Sequence, residues 1–322
     1  MASNKAEIVK RYLADHPDTP SRTITKYLRT RYPDLWETEN ACYMSVRLYR
    51  GESGKVHREE IKETFPKIPK GEKKKKPLIR IATPGKYLII GDLHVPYHDE
   101  KALEQALKHG YDAGCTHVIV NGDALDAYQQ SQWVKDPAKR SVDKEIGVLK
   151  SIYAEISRMF GGDKWYKIGN HEERIETYLF MNAPKMIGMS KWDLCKALND
   201  ELEIPSWSMV DSKQLYKLGK LNGYHGHELP RGLTSPVSVG RGLWNRTRQT
   251  GFCNHHHATS THIESSGSKD KTWVCFSVGC LCDLQPNYAP VNGWNHGFAV
   301  IEIEAGGNFR ESNHRIVNGE VW

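Results

Sequence analysis

The sequence has no apolar run near the roughly 18 residues that a membrane span needs. Its first residues, MASNKAEIVKRYL, lack the apolar centre of a secretion signal. Both absences set the expectation of a cytoplasmic protein with no membrane partner. Cysteine is sparse and odd in number: Cys42, Cys115, Cys195, Cys253, Cys275, Cys280 and Cys282 show no framework spacing. That argues against a disulfide scaffold and predicts free thiols in a reducing compartment. No internal repeat is visible. What is present, 322 residues with 39% hydrophobic content, suffices for one large core beside a smaller module.

Basic excess is missing from most of the chain. Residues 1–80 hold 19 Lys and Arg against 11 Asp and Glu, a net +8, whereas the rest hold 26 against 28, a net −2. A polyanionic partner would be drawn to the first quarter, and nucleic acid, DNA foremost, is the expected one. The alternative is a solvated connector, because Lys73 to Lys76 is a bare KKKK run.

Residues 1–64 read as a small all-α module. Ile8, Val9, Tyr12 and Leu13 recur at helical spacing, Pro20-Ser21 opens a second segment with Ile24, Tyr27 and Leu28, and Thr38 is placed to cap a third. On that third helix Ala41, Met44 or Ser45, and Leu48 fall on one side. Arg47 and Arg50 lie on the same helix, in the position of a groove-reading element in a helix-turn-helix-like arrangement. A three-helix protein-interaction module fits the same pattern. Residues 65–85, rich in Pro, Gly and Lys, read as a linker.

From residue 86 to 322 the texture is that of a second domain. Tyr87 to Ile90 stops at Gly91-Asp92, His117 to Val120 at Asn121-Gly122-Asp123, and Trp165 to Ile168 at Gly169-Asn170-His171, with helical patterns between. Strand, helix, strand, helix, strand predicts a parallel α/β core. Residues 172 to about 205 read as helical, and Gln214–Leu221, Trp273–Val278, Phe298–Ile303 and Arg315–Val321 read as strands of a second sheet.

Each strand of the core ends in groups with metal-binding chemistry. In order they are Asp92 and His94 in GDLH, Asp123 in GDALD, Asn170 and His171 in GNHE, His225 in YHGHE, and His255 and His257 in NHHH. Carboxylates mixed with imidazoles suit Mn²⁺, Fe or Zn²⁺ rather than a pure Ca²⁺ or Mg²⁺ cage. There are too many donors for one ion, and the Asp123 carboxylate is able to bridge two. Extended backbone would place Asp92 and His94 on one side, and likewise His255 and His257, with His256 turned away.

This ordered set of motifs resembles the calcineurin-like metallophosphoesterases, over about residues 86–305. The resemblance implies a four-layer αββα sandwich of two mixed sheets flanked by helices. It also implies two divalent ions, Mn foremost and Fe or Zn as alternatives. Asp92, His94, Asp123 and His257 would hold the first, and Asp123, Asn170, His225 and His255 the second. A water bridging the ions would become the nucleophile, and His171 would donate a proton to the leaving group. Asp126 and Glu172 would orient these ligands.

Other residues are open to two readings. His227 competes with His225, which the family's order of residues favours. His98 is either substrate-facing or an ordinary loop histidine. Cys253, Cys280 and Cys282 read as buried core thiols. The family's last motif begins with Gly where this chain has Asn254, a residue that tolerates left-handed backbone. The protein phosphatases of the family follow GD with VDRG; this chain has Ala124-Leu125-Asp126-Ala127, without that arginine. A phosphodiesterase or nuclease acting on nucleic acid is therefore expected, similar to the DNA-repair nucleases of the family. The alternatives are a phosphatase of phosphomonoesters, nucleotides or phosphoproteins, and an inactive nucleic-acid-binding regulator. A compact binding module joined to a nuclease-like domain would also suit a phage or mobile element.

Overall fold

In the computed structural model, residues 2–55, 57–58, 68–72, 77–131, 141–185, 192–229, 238–268 and 270–322 are described. The KKKK run lies outside them. The chain divides into two units, Met1–Lys74 and Lys75–Trp322.

The first unit contains α1 (Ala2–Asp15), α2 (Ser21–Arg31) and α3 (Glu39–Tyr49). Thr38 starts α3: its side chain accepts a hydrogen bond from Ala41 N at 3.1 Å, satisfying a donor that the first turn leaves without a helical partner. Val9, Ile24, Leu28, Trp36, Cys42 and Val46 form the core. On α3 the buried face is thus Cys42 and Val46, while Met44 and Leu48 are exposed. The sequence ACYMSVRLY is apolar on both sides of the helix, so helical spacing alone could not select the face.

The second unit runs β1 (Ile79–Ile81), β2 (Gly85–Ile90), α4 (Glu100–Asp112), β3 (His117–Asn121), α5 (Val142–Met159), β4 (Lys164–Lys167), α6 (Asn170–Asn182) and α7 (Leu194–Glu201). There follow β5 (Ser208–Val210), β6 (Tyr216–Leu218), β7 (Leu221–Gly223), α8 (Val239–Thr247), β8 (Gly251–Cys253), β9 (Ser260–Ser265) and β10 (Thr272–Ser277). The chain ends with β11 (His296–Ile303), β12 (Phe309–Val317) and β13 (Glu320–Val321). One sheet has the order β13-β12-β11-β2-β3-β4-β5 and the other β1-β6-β7-β8-β10-β9. Both are mixed: β2 to β5 are mutually parallel while β11 meets β2 antiparallel, and β8 is parallel to β7 and β10 while β9 is antiparallel to β10.

The apolar runs are continuous because alternate residues enter different cores. Tyr87 and Ile89 of β2 and Ile119 of β3 face the second sheet, meeting Tyr216, Phe252, Phe276 and Val278. Leu88, Ile90, Val118 and Val120 point the other way, onto Ala102 and Ala106 of α4 and Leu149, Tyr153 and Ile156 of α5. On the far side of the second sheet, Val239, Leu243 and Trp244 of α8 cover Cys253 and Cys275. Helices, sheet, sheet and helix give the αββα sandwich that the sequence led us to expect.

Three details differ from the sequence reading. Ile79–Ile81, inside the segment read as a linker, is a strand paired in parallel with Tyr216–Leu218; three residues are too few to show a period. Gln214–Leu221 is not one strand, because the chain reverses at Gly219, φ +59°, between β6 and β7. Arg315–Val321 is likewise split by a turn at Asn318-Gly319, φ +53° and +80°.

Candidate metal centre

The motif residues follow the C-terminal ends of β2, β3 and β4 in one sheet and of β7 and β8 in the other, where open α/β sheets gather ligands. The backbone there is not extended. Asp92, His94, Asp123, His255 and His257 have φ of 49°, 48°, 50°, 69° and 54°. Left-handed turns, not strand alternation, aim these side chains, and Asn254 is not among the positive-φ residues. Such conformations cost about 1 kcal/mol or more each outside Gly and persist where surrounding structure enforces them. The flanking glycines permit close approach: a Cβ on Gly169 would lie 2.2 Å from Asp123 Oδ1, and one on Gly122 2.3 Å from His225 Nδ1.

The donors converge on two points. Around the first, His94 Nε2 lies 3.1 Å from His257 Nε2 and 3.9 Å from Asp123 Oδ2, and His257 Nε2 lies 3.6 Å from Asp92 Oδ1. Around the second, His225 Nε2 lies 3.2 Å from both Asp123 Oδ2 and Asn170 Oδ1, and His255 joins Asp123 and His225 in one cluster. Asp123 Oδ2 is common to both.

These residues fit two divalent cations. Asp92 Oδ1 is buried with no hydrogen-bond partner. The facing Nε2 atoms of His94 and His257 cannot form a hydrogen bond unless one carries a proton, whereas an ion would use both lone pairs. Their 3.1 Å separation matches the roughly 3.0–3.4 Å between neighbouring donors that bonds of about 2.1 Å produce. Burial pushes the Asp92 carboxyl up to about 7 and holds His255 down to about 3. His255 is thus neutral, as coordination requires. Burial disfavours a proton on His225, but the Asp123 carboxylate prevails and carries it up to about 10. That proton and a cation would compete for one lone pair.

A surrounding set of bonds fixes the candidate ligands. Glu172, fully buried, accepts from Asp123 N, Gly169 N, Leu125 N and the Tyr166 hydroxyl at 2.8–3.2 Å. The Asn121 carbonyl can only accept, so at 2.7 Å it keeps a proton on His225 Nδ1 and turns Nε2 inward. Asp126 Oδ1 lies 3.4 Å from His94 Nδ1 and 3.2 Å from His171 Nδ1. Burial would raise the Asp126 carboxyl, but these imidazoles hold it well below the usual range. Asn254, fully buried, accepts from Asn121 Nδ2 at 2.8 Å, so its amide serves this network rather than a left-handed turn.

Other candidates divide. His171 Nδ1 is 2.8 Å from the Asp126 carbonyl, and its Nε2 is 3.9 Å from Asp123 Oδ2; it also clusters with His94 and Asp123, so proximity alone would allow it as a ligand. His256 is in none of the clusters. His227 faces Glu173 and Glu228 at 3.6 and 3.7 Å. His98 lies outside the clusters as well. Arg50 donates to the Thr19 carbonyl and Arg47 to the Glu52 carbonyl, and both pair with the Glu52 carboxylate at 3.5 Å. Both guanidiniums therefore have partners within the first unit.

Three elements escaped sequence reasoning. All seven cysteines are free, but Cys282 is more than core, since its Sγ clusters with His94 and His257. Fully buried Lys167 meets Glu228 at 3.0 Å, and Glu228 accepts from the amides of His225 and Gly226, fixing the loop that carries His225. Arg174 lies with Nη1 and Nη2 at 2.9 and 2.8 Å from the ring nitrogens of His171. Its spacing of three from His171 on a helix was the available signal.

The chain matches no protein-family model. The Gene 54 protein of Mycobacterium phage L5 is 21% identical over 261 residues, covering 73% of this chain and 97% of that protein. Among solved structures, Vps29 of Cryptosporidium parvum is similar at 12% identity and a TM-score of 0.40, covering 74% of this chain and 94% of that one. A dimetal phosphatase of Danio rerio is similar at 11% and 0.37, covering 72% and 96%. The phosphoesterase Yfce of E. coli is similar at 12% and 0.30, covering 70% and 98%. At these identities and TM-scores, function has to be argued from the site itself.

Two outcomes are expected. In Mn²⁺ titration calorimetry, His256→Ala keeps two equivalents, while His257→Ala weakens the first site and His255→Ala the second; equal losses from all three would refute this division. Glu172→Gln replaces acceptor with donor opposite buried N–H groups and should lower Mn²⁺ affinity about 10–100-fold, measured by the same titration.

Proposed function

We propose that the chain is a dinuclear metal-dependent phosphoesterase that hydrolyses phosphodiester bonds of nucleic acid, DNA foremost. The carrying observation is the Asp123 carboxylate, with Oδ2 3.2 Å from His225 Nε2 and 3.9 Å from His94 Nε2, shared by two donor sets. Asp92, His94, Asp123 and His257 would hold one cation, and Asp123, Asn170, His225 and His255 the other. Mn best suits this mixture of carboxylate, amide and imidazole, with Fe or Zn as alternatives. Bound there, the ions supply Lewis acidity at the phosphoryl oxygens and a water of lowered pKa.

The chain's own groups do the rest. His171 is held at Nδ1 by the Asp126 carbonyl, 2.8 Å away, with the Asp126 carboxylate at 3.2 Å. His171 lines a cavity with Arg174 and would give a proton to the leaving oxygen. Support for nucleic acid comes from the +8 excess of residues 1–80 and from α2, which exposes Arg22, Lys26 and Arg31 for phosphate contacts. The likeness to a mycobacteriophage protein supports a phage-encoded enzyme acting inside its host. Among the described residues, no helix is long and apolar enough to cross a membrane.

With Mn²⁺ the protein should hydrolyse bis-p-nitrophenyl phosphate and DNA, and EDTA should abolish both activities. His171→Ala and Asp123→Asn are each expected to lose at least about 100-fold in kcat. Two bound metals without hydrolysis of any phosphoester would sink the enzyme reading; hydrolysis of monoesters alone would favour a phosphatase. Deleting residues 1–65 should weaken DNA binding and flatten its salt dependence. An unchanged salt slope would remove nucleic acid as that unit's partner.

A further inference from the structure

Beside the proposed metal positions lies a cavity of about 590 Å³, within the roughly 300–1,000 Å³ of small-ligand sites. His171 and Arg174 form one side, Tyr97, Tyr128 and Tyr288 supply aromatic faces, and Asn287 stands at the rim. Tyr288 is 73% exposed, although its ring is large and apolar. It lies 6.1 Å from Trp294, whose ring in turn packs 4.2 Å from the imidazole of His257. An aromatic row thus leads from the candidate centre outward.

Arg174 occupies an unusual place in this cavity. Its guanidinium rests on the His171 ring nitrogens at 2.8 and 2.9 Å and donates to the Asp126 carbonyl at 3.1 Å. Among the described residues no carboxylate is paired with it. Arg174 is always cationic and lines the cavity beside the candidate centre. An anionic oxygen entering the cavity would meet this guanidinium and pair with it. No arginine follows Asp123 in GDALD, and among the described residues lining the cavity Arg174 is the one Lys or Arg.

We propose that this cavity is a nucleoside subsite, in which Arg174 grips a phosphoryl oxygen and the tyrosine wall, Tyr288 foremost, stacks the attached base. The assignment rests on the phosphoesterase reading and adds to it a recognition element for the substrate's base. Every base offers a π-face, so stacking on tyrosine selects nucleosides without selecting a sequence. The Asn287 amide at the rim offers both a donor and an acceptor to a base edge.

The test is calorimetric binding to the full-length, Mn²⁺-supplied protein of two probes whose C–P bonds resist hydrolysis, 5′-deoxythymidine-5′-phosphonate and methylphosphonate. The nucleoside probe should bind about tenfold tighter or more. Tyr288→Ala should erase most of that difference while leaving methylphosphonate unaffected. Arg174→Gln, which keeps a donor for the Asp126 carbonyl, should weaken both probes by about tenfold, and Arg174→Lys should recover part of the loss. Equal affinity of the wild type for the two probes would overturn the subsite. So would an unchanged ratio in Tyr288→Ala, unchanged methylphosphonate affinity in Arg174→Gln, or tighter binding of 4-(phosphonomethyl)phenylalanine, which would mark a phosphotyrosine site. Because binding is the readout, nucleoside preference without any hydrolysis would sink the phosphoesterase reading alone, and hydrolysis without nucleoside preference would sink the subsite alone.

Discussion

The Glu172 carboxylate, sealed from solvent at the start of α6, receives three backbone amides and one phenol. Those donors belong to the loop after β3, the turn after β4 and β4 itself. One side chain therefore sets the spacing between Asp123 and the Asn170-His171 pair. In a low-dielectric setting each of these bonds is strong, and each donor would be costly to leave unsatisfied. The proposed ligands Asp123 and Asn170 keep their relative positions because this carboxylate leaves their loops no cheap alternative.

Around that anchor the chain carries local strain. Five of the seven proposed ligands have left-handed or near left-handed backbone, and two flanking glycines leave no room for a Cβ. Unfavourable backbone persists where its surroundings over-determine it. Here the surroundings are Glu172, the Asn121 contacts with Asn254 and His225, and the buried Lys167–Glu228 pair. A second tier of polar residues, comparable in extent to the donor set, is needed to present the donors.

Much of this was legible in the sequence, for identifiable reasons. Tyr87 to Ile90 and His117 to Val120 announced themselves as strands because both faces are buried, which forces an unbroken apolar run. The donors stood out because Asp and His directly after such runs have few structural uses. Short pieces were hidden: β1 and β8 have three residues each and show no period. The face of α3 was hidden because both of its sides are apolar. The means by which His255 and His257 converge was also hidden, since histidine tolerates left-handed backbone but tertiary contacts decide whether it adopts it. Lys167 and Glu228 looked like ordinary charged residues, and only burial reveals them as a pair.

The donors are drawn from both layers of the sandwich, Asp92, His94, Asp123 and Asn170 from one sheet and His225, His255 and His257 from the other. The two layers are otherwise joined by the apolar interior around Tyr87, Ile89, Phe252 and Phe276, which is slippery in the sense that dispersion has no preferred direction. An ion lodged at their shared rim would be directional, and would act as a clasp on a closed book. Since a ligand that binds the folded form alone stabilises it by an amount that rises with the logarithm of its concentration, the supply of metal would govern how tightly that book stays shut.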